Sequence, residues 1–438
     1  MKLYRIILFT ITSLCVVFIH GQGIEIRADE SGIYLNDKLT TCSELLLDVE
    51  GKAGILTCSN ETELELPEDT NLELLNKYYE AHYITALSWD YDLDRFFLKI
   101  DTSETFDDVQ DVQFRKLNGS FIACFSSEGR YLYRFADINN SRPGNMTSCL
   151  FMQYHDRHIY ALDKNYRVSK YNVENSADYV SMIDVESKFN SYMFAIRGSK
   201  FIGGGNTYFP TGTFSTASLL DIEADQDYPD TYEAVNSKEI LSQEKYWNKS
   251  KFQDIITKPM KEAGTDWEAY NDTLKSLLIT IWSGGFFSSP SFTWDDDETF
   301  YAVGPWGTEI LKYNANGDSL DSFQLKILTE YRNSEIKRQK ENYSTLDPLA
   351  VFTIPRYMFI DHENNNLLIF YLFSQNEQNL YGFENRLQLL AYSLDTKEEL
   401  CPLINVDFIP VGMDDGEIIG LIISDEEGYL NKYNLELK

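Results

Sequence analysis

Five stretches of the chain close on nearly the same five-residue phrase: an apolar residue, two variable positions, an aromatic ring, and then usually Asn, Ser or Ala. The copies are Leu132-Tyr133-Arg134-Phe135-Ala136, Val168-Ser169-Lys170-Tyr171-Asn172, Ile310-Leu311-Lys312-Tyr313-Asn314, Leu389-Leu390-Ala391-Tyr392-Ser393 and Leu430-Asn431-Lys432-Tyr433-Asn434. Each follows a β-rich hairpin pattern. Self-similarity of this kind constrains the fold to an array of like supersecondary units, each too small to bury its apolar face alone.

Within the units, alternating apolar and polar residues rich in aromatic and β-branched types mark strands, as in Phe96-Phe97-Leu98-Lys99-Ile100 and Phe121-Ile122-Ala123-Cys124-Phe125. Acidic turns introduce many of them: Trp89 to Asp94 before Phe96, Trp294 to Glu298 before Phe300, Ile360 to Asn366 before Leu367, and Asp414 to Glu417 before Ile418. Asp and Asn concentrate there because they tolerate tight-turn dihedrals and hydrogen-bond their own backbone. The aromatic markers at 135, 171, 313, 392 and 433 leave short intervals of one unit and two long ones. The interval from 171 to 313 holds a weaker copy at Ser218-Leu219-Leu220-Asp221 and a segment of helical spacing, about 237–278, that carries Tyr246, Trp247, Phe252, Ile255 and Ile256. A second helix is expected near Leu325 to Glu341, rich in Lys, Arg and Glu. Six units of three or four strands result, and repeats of ~40 to 50 residues with that content are propeller blades. The expected fold is all-β: a six-bladed β-propeller with a helical insertion between blades three and four.

The line from Phe300-Tyr301-Ala302-Val303 through Gly304-Pro305-Trp306-Gly307 to Ile310-Leu311-Lys312-Tyr313-Asn314-Ala315-Asn316-Gly317-Asp318 is the clearest blade. In it the chain resembles the six-bladed β-propellers of secreted bacterial proteins, including TolB-like and NHL-like forms, over roughly Ile84 to Lys438. It departs from WD-repeat proteins by lacking Gly-His and Trp-Asp at the repeat ends, and from kelch proteins by lacking paired glycines in each blade. The resemblance implies a shape and a compartment rather than an activity.

The N-terminus agrees with that compartment. Lys2 and Arg5 precede an uncharged apolar run from Ile6 to Ile19, too short for the ~20 residues of a membrane span and of the length of a secretory signal. Residues 1–21 are therefore read as a signal peptide, 22–80 as an N-terminal segment with a ring-closing strand and a helical cap at Asn71 to Ala81, and 81–438 as the propeller. Ile24-Glu25-Ile26-Arg27 and Gly32-Ile33-Tyr34-Leu35 are the strand candidates for closing the ring. A secreted, periplasmic or cell-surface location follows, for a monomer with no membrane span. The sequons starting at Asn60, Asn118, Asn139, Asn145, Asn248, Asn271 and Asn342 would be glycan acceptors in a eukaryotic secretory route.

The formal net charge of −31 removes nucleic acid from the partner list, because no basic stripe exists to replace phosphate counterions. Anionic membrane surfaces are disfavoured for the same reason. No Cys-x-x-Cys pair is present, which argues against structural zinc. In an oxidising compartment Cys42 with Cys58 and Cys124 with Cys149 are plausible disulfides that leave Cys401 alone, and other pairings stay open.

Signals for chemistry are few. His155 and His158 flank a hairpin turn, where on one strand edge they would point to opposite faces, and no histidine sits in a Gly-x-Ser-x-Gly context. Gly203-Gly204-Gly205-Asn206 lacks the Lys-Ser/Thr and helix of a phosphate loop and reads as a bulge or tight turn in blade three. The run Asp221, Glu223, Asp225, Asp227 and Asp230 places hard oxygens at nearly alternate positions, as in a calcium loop. It lacks the turn Gly and closing Glu of an EF-hand, so a solvated acidic loop is favoured, with calcium the ion it would hold otherwise. Trp282 before Gly284-Gly285 and Trp306 beside Gly307 fall in loops on one rim, and Trp247, Trp267 and Tyr270 in the insertion offer a further surface for stacking on sugars or anchoring a protein. The leading reading is an exported, non-catalytic propeller that binds a protein or glycan through its rim and channel mouth, with no cofactor. The alternatives are a calcium-assisted hydrolase or lyase with an acidic ring at the channel, and a structural envelope or matrix protein.

Overall fold

A computed structural model describes residues 26–29, 32–35, 38–40, 54–80, 86–102, 120–137, 146, 149–163, 167–184, 194–209, 212–224, 231–241, 291–296, 298–303, 308–330, 353–375, 384–401, 403–424 and 426–437. Strands dominate. The first three, β1 (Ile26–Asp29), β2 (Gly32–Leu35) and β3 (Lys38–Thr40), form a small antiparallel sheet of their own. Strand β4 (Gly54–Glu63) and helix α1 (Leu72–Glu80) follow. The side-chain oxygen of Asn71 accepts from Leu74 N at 3.0 Å and so caps α1, whose Leu74 and Leu75 are buried.

The rest of the chain makes antiparallel sheets in sequence order. The first is β5 (Leu87–Asp90), β6 (Arg95–Ile100), β7 (Phe121–Ser126) and β8 (Tyr131–Phe135). The second is β9 (Phe151–His155), β10 (His158–Leu162), β11 (Arg167–Asn172) and β12 (Asp178–Asp184); the third is β13 (Phe194–Arg197), β14 (Lys200–Phe209), β15 (Gly212–Ala224) and β16 (Thr231–Leu241). A short parallel pairing, Met182 to Asp184 with Thr231 to Glu233, joins the outer edges of these two. The fourth is β17 (Phe292–Trp294), β18 (Thr299–Val303), β19 (Glu309–Asn314) and β20 (Ser319–Gln324). The fifth is β21 (Thr353–Asp361), β22 (Asn366–Gln375) and β23 (Glu384–Ser393), edged by β24 (Glu398–Glu399) and β25 (Ile404–Val406). The sixth is β26 (Ile409–Asp414), β27 (Glu417–Ile423) and β28 (Gly428–Leu437), completed by β4.

The first strands of successive sheets touch in a closed circle, β5 to β9 to β13 to β17 to β21 to β26 and back to β5. Six sheets arranged radially around their innermost strands are a six-bladed β-propeller. The strand that completes the last blade is β4, paired antiparallel with β28 from Gly54↔Leu437 to Glu63↔Tyr429. The described parts of the two candidate segments, Ile26 to Arg27 and Gly32 to Leu35, lie instead in the separate sheet of β1 to β3; Ile24 and Glu25 lie outside the described residues.

The core lies between blades. One apolar cluster joins blades one and two, others join two and three, three and four, and four and five, and a large one spans five, six and one. Register aligns one residue from each of the first three strands of every blade: Trp89-Phe96-Phe125, Tyr154-Ile159-Tyr171, Ile196-Phe201-Leu220, Trp294-Phe300-Tyr313, Ile360-Leu367-Tyr392 and Met413-Ile418-Tyr433. The repeated aromatic is thus the third-strand member of a buried layer, each side chain worth about 1.5 to 3 kcal/mol of apolar burial. Leu220 fills the place in blade three. In blade one the place belongs to Phe125, because Phe135 stands one strand further out, on β8.

The expected helical insertion is corrected at its start. Ser237 to Leu241 belong to β16, with Leu220↔Ser237 and Leu219↔Lys238 paired and Ile240 buried against blade four. Ladder pairing and that burial outweigh a helical spacing whose first residue, Ser237, is an indifferent helix former. The remainder, 242–278, lies outside the described residues, as do 331–341 of the second expected helix; 326–330 are helical. Gly203 to Gly205 are likewise no turn. They pair in regular register with Ser218, Ala217 and Thr216.

Candidate functional site

The blade layout gives the molecule two unlike faces. At the face where inner strands end, connections are tight: 91–94, 156–157, 198–199, 295–298, 362–365 and 415–416. Their carboxylates hold the turns. Asp90 Oδ1 accepts from Asp92 N at 3.0 Å and Leu93 N at 3.1 Å, Asp361 Oδ1 from Glu363 N and Asn364 N at 3.1 Å each, and Asp296 Oδ1 from Glu298 N at 2.7 Å and Thr299 N at 2.6 Å. Asp94, Asp156, Arg157, Asn365 and Asp415 have positive φ between 44° and 61°, a backbone that Asp and Asn accept most readily after Gly. Asp90 is fully buried and grips Arg95, with Nη2 at 2.6 Å and Nε at 3.0 Å from Oδ2. Arg95 also donates to the Tyr133 hydroxyl at 3.2 Å.

At the opposite face, where inner strands begin, β6, β8, β16 and β20 end and the long stretches of sequence 101–120, 136–150, 242–291 and 325–352 depart. Helix α1 sits there, its Tyr79 hydroxyl donating to Asp407 O at 2.6 Å. At the centre of this face is a cavity of about 140 Å³ to which all six inner strands contribute. Its walls are Leu87 and Ser88 of β5, Phe151 to Gln153 of β9, Phe194 of β13, Ser291 to Thr293 at β17, Arg356 to Phe359 of β21, and Pro410 and Val411 of β26. Every one precedes the buried layer residue of its strand, which places the cavity at the leading end of the channel.

Two of its polar groups stitch blades together. Ser88 Oγ accepts from Tyr154 N at 2.8 Å, and Gln153 Oε1 accepts from Ile196 N at 3.0 Å. The ladders of β21 and β26 each break just after a proline, between Pro355 and Tyr357 and between Pro410 and Gly412, which leaves Arg356 and Val411 as bulged residues. Proline is tolerated because an innermost strand is a sheet edge, and a bulge re-aims the side chain it carries. Arg356 is half-buried and hydrogen-bonds the buried Tyr357 hydroxyl, whose proton burial holds more tightly than usual. The repeated dipeptide Ile-Pro, at 354–355 and 409–410, was the sequence signal for this feature and was missed.

The residues singled out from sequence distribute as follows. Trp247, Trp282, Trp306, Asp225, Asp227 and Cys42 lie outside the described residues, with Trp267 and Tyr270. The strands that flank the tryptophans, ending at Leu241 and Val303, open on the cavity face. Asp221 and Glu223 are not in a loop but on β15, where Asp221 forms an ion pair with Lys200 on β14. His155 and His158 are directly paired across a two-residue turn, so they share a face rather than oppose. Each is separately engaged, His155 Nε2 with Gly198 N at 3.0 Å and His158 Nδ1 with Asp156 O at 2.6 Å. Among the described residues no group of three His, Cys, Asp or Glu side chains is placed to hold a metal ion, and no carboxylate lines the cavity.

The disulfide expectation for Cys124 with Cys149 is also corrected: both are free thiols, as are Cys58 and Cys401. The two sulfurs face different neighbours. Cys124 meets the Tyr133 hydroxyl beside Arg95, while Cys149 points at Phe151 O at 3.9 Å near Lys99 and Asp101. Burial raises the Cys124 thiol to about 11 and the Cys149 thiol to about 12. Among the described residues no helix is long and apolar enough to cross a membrane.

No family model matches the chain, and no curated protein matches it. Solved structures similar to it include a member of the DUF4221 family from Bacteroides vulgatus, at 9% identity with a TM-score of 0.49, covering 88% of this chain and 99% of that one. The WD40 β-propeller domain of Doa1 is similar at 9% identity and a TM-score of 0.36, covering 80% of this chain and 77% of that one. BamB from Moraxella catarrhalis is similar at 8% identity and a TM-score of 0.33, covering 87% and 100%.

Proposed function

We propose that the protein is an exported, monomeric binding propeller of secreted bacterial type that docks a protein or glycan partner on its leading face, over the channel mouth, without catalysis. The observation that carries this reading is the asymmetry of the two faces. Tight turns, three of them capped by their own Asp side chains, close one end of the ring, whereas the strand ends joined by the long connections, and an aromatic-walled cavity, lie at the other. Variable connections on a rigid scaffold are where propellers place recognition. Phe151, Phe194, Phe292 and Phe359 supply the apolar surface at the centre of that face.

A calcium-assisted hydrolase needs carboxylates converging on the channel. The carboxylates at inner-strand ends instead cap turns at the far face and engage Arg95, Lys312 and Lys432. Export rests on the apolar run Ile6 to Ile19 behind Lys2 and Arg5.

The test is a glycan array and a cross-linking capture from the cell surface, run with the wild type, with Phe292→Asp at the cavity and with Asp415→Asn on the turn face. Loss of the captured ligand with Phe292→Asp alone, both variants remaining folded, is the expected result. A ligand that Asp415→Asn releases and Phe292→Asp retains would place recognition on the wrong face and overturn the reading.

A further inference from the structure

The cavity at the leading end of the channel has a chemistry opposite to that of the whole molecule. The chain carries a formal charge of −31, yet the one charged residue among the described residues lining the cavity is Arg356. Fields from distant surface carboxylates are largely screened beyond ~8 Å at physiological salt, so the groups at the cavity wall decide what it attracts.

Those groups are donors. The Gln153 carbonyl oxygen is taken by Ile196 N at 3.0 Å, which turns its amide nitrogen toward donation. Ser88 Oγ already accepts from Tyr154 N at 2.8 Å and keeps its hydroxyl proton to give. The hydroxyls of Ser291 and Thr293 add to the same wall, and Phe151, Phe194 and Phe292 supply apolar surface around it. Arg356 owes its place to the bulge between Pro355 and Tyr357, which releases it from ladder alternation. A guanidinium among neutral donors, enclosed by rings, is complementary to a carboxylate borne on a small apolar body. The volume, about 140 Å³, is below the ~300 to 1,000 Å³ of a site for a drug-sized molecule, so one ring-sized acid or one acidic side chain fills it.

We infer that the channel cavity is a carboxylate-binding pocket, with Arg356 the ligand-binding cation and Gln153 and Ser88 the supporting donors. The inference rests on the leading face being the recognition face and names the chemistry at its centre. Because small acids alone test it, its failure leaves partner docking on the surrounding connections intact.

Calorimetric titrations of the whole protein with benzoate and with its neutral isostere benzamide separate charge recognition from ring burial. A second pair, acetyl-glutamate amide and acetyl-glutamine amide, asks whether the acid is presented on a peptide. Expected is binding of at least one acid with its neutral counterpart at least tenfold weaker, and the acid that binds identifies the source. Arg356→Gln should weaken that acid at least tenfold with an unchanged melting temperature, and Arg356→Lys should restore part of the loss. Neither acid binding, equal binding of acid and amide, or wild-type affinity in folded Arg356→Gln would each overturn the inference. The comparison of acid with amide needs no variant, so it stands even where Arg356→Gln fails to fold.

Discussion

Replacing Asp90 by Ala should destabilise the propeller more than any surface substitution, and the structure sets the amount. Asp90 is fully buried and Arg95 is 7% exposed, so removing the carboxylate leaves a guanidinium enclosed by protein with only the Tyr133 hydroxyl at 3.2 Å to receive it. Breaking a buried pair in this way costs about 3 to 5 kcal/mol, and the two turn amides that lose Asp90 Oδ1 fall within that range because they can turn to water. Asp90→Asn keeps the acceptor for Asp92 N and Leu93 N while removing the charge, and should cost about half as much. The decisive variant is the double one. Asp90→Ala with Arg95→Met removes the stranded charge and replaces its stem with an apolar chain that can lie against Phe97, over which Arg95 now sits at 5.8 Å. It should recover about 2 kcal/mol or more relative to Asp90→Ala. Urea unfolding followed by tryptophan fluorescence suits the measurement, since buried Trp89 adjoins the pair. A single Asp90→Ala within about 1 kcal/mol of wild type, or a double variant no more stable than the single, would refute the argument from a buried, uncompensated charge.

Three further outcomes are expected. Gly420→Ala should cost about 1 to 3 kcal/mol of overpacking, read as a fall in melting temperature, because its added carbon would stand 2.4 Å from the Phe408 ring, itself stacked on Tyr433 at 4.1 Å. Glu399, which accepts from Ile327 N at 3.0 Å, has its carboxyl raised by burial; the folded state therefore favours the protonated form, and that stabilisation is complete below the ordinary value of 4.5 and lost as pH rises through the raised one. Glu399→Gln should accordingly raise the melting temperature at pH 7 and leave it unchanged at pH 4; an equal shift at both would contradict the assignment. Peptide mapping after thiol labelling of the native protein should find exposed Cys58 modified, faster as pH rises because burial and Glu61 hold its thiol up, and Cys124, Cys149 and Cys401 modified only in denaturant. A Cys124–Cys149 disulfide in that map would contradict the structure.

The blades were legible in sequence because their cause is local. Alternation sets the strands, and Asp-rich or Gly-containing stretches set their turns, so Asp414-Asp415-Gly416 and Asp361 to Asn365 announce their hairpins without tertiary help. Phase was less legible. Phe135 fits the repeated phrase as well as Tyr171 does, and only the pairing of Trp89, Phe96 and Phe125 across three strands shows that the true counterpart precedes it by a strand. At Ser237 to Leu241 a helical spacing lost to cross-strand burial of Ile240, a long-range term that periodicity cannot register. The cavity was least legible of all. Its wall comes from segments as far apart as Leu87 and Val411, each contributing a few residues, and no single segment has the composition of a site. Only the prolines at 355 and 410, placed in strands too apolar to be ordinary edges, marked where the backbone departs from regularity.

The pairing of Gly54–Glu63 with Gly428–Leu437 sets a timetable for the molecule. On the ribosome the earlier strand is complete long before its partner exists, and nothing else in blade six can substitute for it. Blades one to five can gather their own strands in order of synthesis, since each draws on a contiguous stretch of chain. The circle itself cannot close until the final segment arrives, after paying the loop entropy of nearly the whole chain. Until then two unsatisfied strand edges, one near each end, remain open to pairing with another copy. Closure therefore acts as a completeness check: a chain cut short just before Gly428 keeps the strands of blades one to five yet lacks the third strand of blade six and the pairing with Gly54–Glu63 that closes the ring.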